Sequence, residues 1–281
     1  MAVGALSHPF TTISSLSHSN SPTSRPPPSP PPSPPPFLNF RTAHSHNLRY
    51  LKSLRLLDSH STKFRSPDAV HSILATVHFL KSKGFSDSDF PTLAFLCPQL
   101  FSPDFDPTDI APVFDFLAAD LSASIQESRG MILRCPKLLF SDVELCLRPT
   151  LRFLKQIGLE NLNTPSNLKS HLLNTRVEKL RGKFRFLQEL GFSHEEAAKV
   201  CRRMPALFGY SVEENLRPKY EYLVNEMERD LEELKEFPQY FAFSLERRIA
   251  PRHLHLKQRN LRIPLNRMLL WSDQKFYTKW K

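Results

Sequence analysis

Ten lysines and arginines fall within residues 246–281, against Glu246 and Asp273 alone, a local charge of +8. Arg248, Arg252, Arg259 and Arg262 head this group, and Trp271, Phe276, Tyr277 and Trp280 are interleaved with its later members. Cations at this density neutralise phosphates and release counterions, and aromatic rings stack on unpaired bases. The competing reading is a solvated helix face that caps the fold, with Trp and Phe closing its core. A second cationic group lies inside the chain. Arg148 and Arg152 are four residues apart, as are Arg181 and Arg185. On a helix each pair shares a face, where like charges repel unless an anion or acid lies between them. Arg148, Arg181 and Arg217 also recur in one register. They form either a stripe for phosphate or ion pairs with Glu144, Glu178 and Glu214. Arg202 and Arg203 end a short helical stretch, where cations favour the helix dipole.

Other chemistry lacks its residues. Cys97 and Cys135 hold a slot also filled by Met204 and Phe237, so an apolar position explains all four. Cys146 and Cys201 complete no zinc spacing. His253 and His255, two apart on a helix, point away from each other, and no metal is expected. No phosphate-cradling glycine loop, dinucleotide fingerprint or nucleophile elbow is present. Neither enzymatic activity nor a cofactor is expected.

The elements that carry these cations repeat. CPQLF at 97–101 returns as CPKLLF at 135–140, MPALF at 204–208 and FPQYF at 237–241, and HLLNTRVE at 171–178 falls on the same grid. The anchors are Pro98, Pro136, Ser170, Pro205 and Pro238, 38, 34, 35 and 33 residues apart. This period marks a helical solenoid, in which each unit buries its apolar face on its neighbours. Between anchors run IAPVFDFL at 110–117, LRPTLRFL at 147–154, LRGKFRFL at 180–187, LRPKYEYL at 216–223 and IAPRHLHL at 249–256, with apolar residues at helical spacing. Gly84, Gly158 and Gly191 follow such stretches, as a left-handed helix end requires. Ser193 and Glu196 have capping-box spacing, and so do Ser141/Glu144, Thr175/Glu178 and Ser211/Glu214. The last three lie upstream of Pro149, Gly182 and Pro218. Either the long helix starts early and bends at proline, or a separate turn precedes it.

The anchors, the SVEENLRPKYEYL run at 211–223 and the tail PLNRMLLWSDQKF at 264–276 together resemble the mTERF repeat, named for mitochondrial transcription termination factors. The resemblance covers about residues 66–281. Ser170 and Gly182 depart from it, and the first unit at 67–90 is degenerate. It implies an all-α solenoid, a left-handed superhelix of helix-helix-3₁₀ units. It also implies a protein of organelle gene expression that binds double-stranded DNA or RNA, acting in transcription termination, transcript processing, splicing or ribosome biogenesis. The alternatives are a helical-repeat scaffold for other proteins of the organelle, and a pentatricopeptide-type RNA reader. The anchor prolines and the LRPK run argue against the latter. Candidate nucleic-acid contacts are Arg148, Arg152, Arg181, Arg185, Arg217, Arg248, Arg252, Arg259 and Arg262.

Residues 1–57 contain no Asp or Glu, are rich in Ser, Thr, His and Pro, and carry PPPSPPPSPPP at 26–36. Such a segment reads as a disordered transit peptide and Pro-rich linker. The first basic residue is Arg25, which favours a chloroplast address over a mitochondrial or dual one. Residues 58–281 are expected to be the repeat array. No run approaches the roughly 18 apolar residues that span a bilayer, so a monomer without membrane contact is expected.

Overall fold

The repeat is visible first in the backbone. Cys97, Cys135, Met204 and Phe237, each preceding an anchor proline, share one conformation, with φ between −128° and −143° and ψ between 65° and 74°. The residue before proline is driven out of the helical region, so the short helix stops there and a 3₁₀ turn follows. The computed structural model describes residues 36–57 and 66–281, with side chains from residue 43. The serine-rich leader and nearly all of the proline run lie outside the described residues. Two units partition the chain, Met1–Arg41 and Thr42–Lys281.

Of the first unit only the opening of helix α1 (Pro36–Ser53) is described. The second is an all-α helical-repeat solenoid, with no strand among the described residues. Its edge lies before the boundary expected at residue 57. Leu51 and Leu54 are buried in the array's core, and the Lys81 ammonium donates to the Tyr50 hydroxyl at 2.6 Å. Then come α2 (Pro67–Ser82), α3 (Phe90–Leu96), α4 (Ala111–Ala119) and α5 (Ile125–Arg134). They are followed by α6 (Arg148–Gln156), α7 (Asn167–Leu173), α8 (Val177–Glu189), α9 (His194–Arg203) and α10 (Arg217–Glu221). Finally α11 (Leu231–Glu236), α12 (Ala250–Lys257), α13 (Leu265–Leu270) and α14 (Asp273–Lys279) close the chain. One continuous core of Leu, Ile, Val and Phe runs from Leu51 to Phe276.

The long helices start early. The proline-bearing α6, α10 and α12 open with a wide turn, in which the N–H of Leu147, Leu216 or Ile249 reaches the carbonyl five residues back, on Asp142, Ser211 or Ser244, whereas α4, with Pro112, follows a 3₁₀ turn at Pro107–Ile110. The cause is the next residue but one. Pro149, Pro218 and Pro251 have no N–H to offer, and the ring crowds the carbonyl four residues earlier. Where Gly182 stands instead, α8 is an uninterrupted α-helix. The Ser211 hydroxyl caps this turn through the Glu214 N–H, whereas Asp142, not Ser141, caps the α6 turn. Ser193 and Glu196 form the expected capping box. Gly84, Gly158 and Gly191 have φ of 88°, 78° and 102°, the left-handed turns the sequence requires.

Ser170 is not an anchor. It lies inside α7, its N–H bonded to the Ser166 carbonyl at 3.0 Å. Without proline the helix continues through the grid position, so one helix replaces the short helix and its 3₁₀ turn. α7 still keeps the stacking order, since it packs between the 3₁₀ turns at Pro136–Phe140 and Pro205–Gly209. That spine continues through the turn at Pro238–Ala242 to α13.

Candidate nucleic-acid interface

In four of the five long-helix motifs the fourth residue joins consecutive units. Thr150 donates to the Thr175 carbonyl at 2.7 Å, Lys183 to that of Phe208, Lys219 to that of Phe241 at 2.7 Å, and Arg252 to that of Met268 at 2.5 Å. Each acceptor belongs to the unit that follows, so one side chain per unit supplies a donor to a carbonyl the helical ladder leaves open. Burial holds the Lys183 and Lys219 ammonium groups below the usual lysine range. These residues show no charge signature of their own in the sequence. Only alignment of Thr150, Lys183, Lys219 and Arg252 in one register could have found them.

This arrangement removes Arg252 from the surface. It is 1% exposed. Its guanidinium donates to the Trp271 carbonyl at 2.8 Å and to Asp273, and lies over the Phe276 ring at 4.6 Å. The Asp273 carboxyl is drawn below its ordinary range chiefly by that hydrogen bond. The basic count of the tail therefore overstated its phosphate-facing charge, because one cation is spent on holding α13 and α14 to α12.

The remaining candidates divide by partner. Arg148 pairs with Asp120 at 3.2 Å and with Glu144. Arg217 takes Glu213 rather than Glu214 in a two-bond contact, and lies over the Phe186 ring at 5.1 Å. Arg181 is exposed, has no carboxylate partner among the described residues, and lies over the Phe153 ring at 5.9 Å. Arg248 is half-buried over Phe243, with Asp273 at 3.8 Å. Arg262 reaches the Glu228 carbonyl and Glu233, whereas Arg259 bonds only to the His255 carbonyl of α12. Arg202 and Arg203 close helices other than their own, donating to the carbonyls of Ile157 and Glu236.

Arg152 and Arg185 stand apart. Both are exposed, and among the described residues neither has a carboxylate within ion-pair distance. They hold one register position on α6 and α8, two helices in direct contact. Packed helix axes lie roughly 8–10 Å apart, so the two arginines project from neighbouring helices. The same position holds exposed Asp115 on α4 and exposed Glu221 on α10. The cationic stripe therefore covers two units and is bracketed by carboxylates.

The histidines and cysteines belong to the packing. The His253 ring meets Tyr222 edge-on, its Nδ1 3.0 Å from the hydroxyl, and His255 lies against Phe276 and Tyr277. Burial pushes the Cys201 thiol up to about 12 and raises Cys97 and Cys135, leaving them protonated and unreactive. No helix among the described residues is long and apolar enough to cross a membrane.

A stack of helix-helix-3₁₀ units around one continuous core defines a helical-repeat protein. The mTERF family pattern matches residues 105–277, and the chain belongs to that family. Its relatives include a chloroplastic transcription termination factor, MTERF2, of Arabidopsis thaliana, 40% identical over 98 residues, which are 35% of this chain and 15% of the relative. Another is the chloroplastic transcription termination factor MTERF4 of Zea mays, 38% identical over 96 residues, 34% of this chain and 19% of the relative. A mitochondrial transcription termination factor of Arabidopsis thaliana, MTEF18, is 31% identical over 105 residues, 36% and 18% of the two chains. In each case the match spans less than a fifth of the relative's length.

Proposed function

We propose that this protein is a chloroplast nucleic-acid-binding factor without enzymatic activity, acting in organelle gene expression by occupying a site on DNA or RNA. The observation that carries the reading is the pair Arg152 and Arg185, exposed, unpaired and register-equivalent on touching helices. Cations so placed are free to replace the counterions of successive phosphates. Arg181 extends the pair on α8, and Arg259 and Arg262 add the exposed part of the tail. Bound in this way, the array blocks a polymerase or a nuclease, or holds an RNA fold. Termination, transcript processing, splicing and ribosome biogenesis are the steps such binding serves. The plant chloroplastic names of several relatives support the address, together with the acid-free residues 1–41 ahead of the array, which would act as its leader. Crosslinking in isolated chloroplasts, followed by sequencing of the recovered nucleic acid, tests this. Enrichment of one DNA site or one transcript family is expected, and recovery of nothing above background overturns it.

A second reading, a scaffold for proteins, is favoured by the stretch 213–236. It carries nine carboxylates, and two of its four cations, Lys219 and Arg229, are buried. That surface repels phosphate and would meet a basic protein.

A further inference from the structure

We propose that the C-terminal end of the array holds one unpaired nucleotide, its base on Trp271 and its phosphate between Lys275 and Lys279. This rests on the nucleic-acid reading above and narrows the ligand to unpaired strand at this site. An open bowl of about 730 Å³ is lined by Trp271, Ser272, Gln274, Lys275, Thr278 and Lys279. Its volume is in the range of small-molecule sites. None of these residues is acidic. The nearest carboxylate in sequence, Asp273, is committed to Arg252 and Arg248.

The platform is fixed in advance. Trp271 packs against the core and stacks with Trp280, ring planes 14° apart and centroids 6.3 Å apart. Its carbonyl is held by the buried Arg252 guanidinium at 2.8 Å. The Lys275 ammonium lies 4.5 Å from the Trp271 ring centre. Lys275 and Lys279 are exposed, four residues apart on α14, and neither has an ion-pair partner among the described residues. Like charges at this spacing repel unless an anion sits between them. A base sliding onto the indole displaces the ammonium from the ring and leaves it free to meet the phosphate of the same nucleotide. Paired bases inside a duplex have both faces covered, so only an unpaired base can use the ring. The Ser272 hydroxyl already caps the Lys275 N–H, which leaves the Gln274 amide and the Thr278 hydroxyl for the base edge.

Trp271 and Trp280 are the chain's two tryptophans, so intrinsic indole emission reports on this site. The full chain is titrated with a single-stranded RNA of about ten nucleotides, within the usual site size for such binders, with the blunt duplex of the same length, and with polyglutamate. Anisotropy of an end-labelled copy of each nucleic acid is followed in parallel. Saturable quenching by the single strand alone is expected. The double change Lys275→Gln and Lys279→Gln should move its midpoint about tenfold higher, a scale set by lost phosphate contacts. Trp271→Leu should abolish the quenching in protein that circular dichroism shows to be folded, and Trp271→Phe should restore single-strand binding in the anisotropy arm. Binding seen by anisotropy with unchanged indole emission overturns the pocket while leaving the parent reading intact. Equal quenching by duplex or polyglutamate overturns it too, showing a general anion face. Failure of both nucleic acids to bind in either arm overturns the parent reading with it.

Discussion

The Lys219 ammonium lies 2.7 Å from the carbonyl oxygen of Phe241, 22 residues ahead in the 3₁₀ turn of the next unit. A second bond to Asn215 at 2.8 Å, and the Tyr240 hydroxyl donating to Lys219's own carbonyl at 2.8 Å, lock the pair. Lys183 and Arg252 repeat the contact in neighbouring units. Lys219 is thus part of the joint between units.

Lys219→Met keeps the aliphatic stem but leaves the Phe241 carbonyl without its donor. The expected loss of unfolding free energy is about 1–3 kcal/mol, the cost of orphaning a buried acceptor, read by denaturant titration. Nucleic-acid affinity of the folded variant should be unchanged. Unaltered stability together with weaker binding would place Lys219 at the ligand instead.

Arg252→Gln removes the donor to Met268, Trp271 and Asp273 at once. Loss of roughly 2–3 kcal/mol is expected, because the buried Met268 carbonyl and the part-buried Trp271 carbonyl lose their donor together. Released contacts of α13 and α14 should appear as faster amide exchange over 265–279. The salt dependence of duplex binding by the variant that stays folded should match the parent's.

Ser170→Pro would restore the repeat's consensus on paper. On α7 it removes the bond from the Ser170 N–H to the Ser166 carbonyl, so it should cost roughly 3 kcal/mol, as proline inside a helix does. Ser170→Ala should be neutral or slightly stabilising, since the buried Ser170 hydroxyl has no partner. A stabilising Ser170→Pro would return this position to the anchor grid.

These positions show what was legible in the sequence. The anchor prolines and the glycine turns were, because each acts through its own backbone, and neighbours in the chain suffice to place it. The choice between an early helix start and a separate turn was not, since it depended on where the N–H of Leu147 finds a carbonyl. Charge counting located the cations of 246–281 but not their partners. Arg252 and Arg259 look alike in sequence, yet one is buried against Phe276 and the other is exposed in the turn after α12. Partners such as Asp120 for Arg148 lie 28 residues away, and only packing brings them together.

His253 gives the joint between the last units a pH dependence. Burial first, then Lys257 and Arg229, hold its ring below the ordinary histidine pKa, against the opposing pull of Glu226 and Glu228. The neutral ring beside Tyr222 is the folded form. Its contribution is present in full above the unfolded value of about 6.5. It is lost as the pH falls from there through the folded pKa, because the unfolded chain takes the proton more readily. The melting temperature should therefore drop between pH 7 and 5, and His253→Phe, which places at 253 the residue type of Phe184, should flatten that limb. An equal drop in the variant would assign the dependence to other groups.

On the proposed function, exposed and unpaired arginines carry the phosphate contacts, while paired and buried ones hold the fold. Duplex affinity measured across a salt series, for the parent and for the double variant Arg152→Gln with Arg185→Gln, tests it most directly. If each residue contributes one phosphate contact, the slope of log K against log salt should flatten by roughly 1.8, about 0.9 per contact, with the melting temperature unchanged. An unchanged slope in that variant, or a fall in stability with no change in slope, would contradict it.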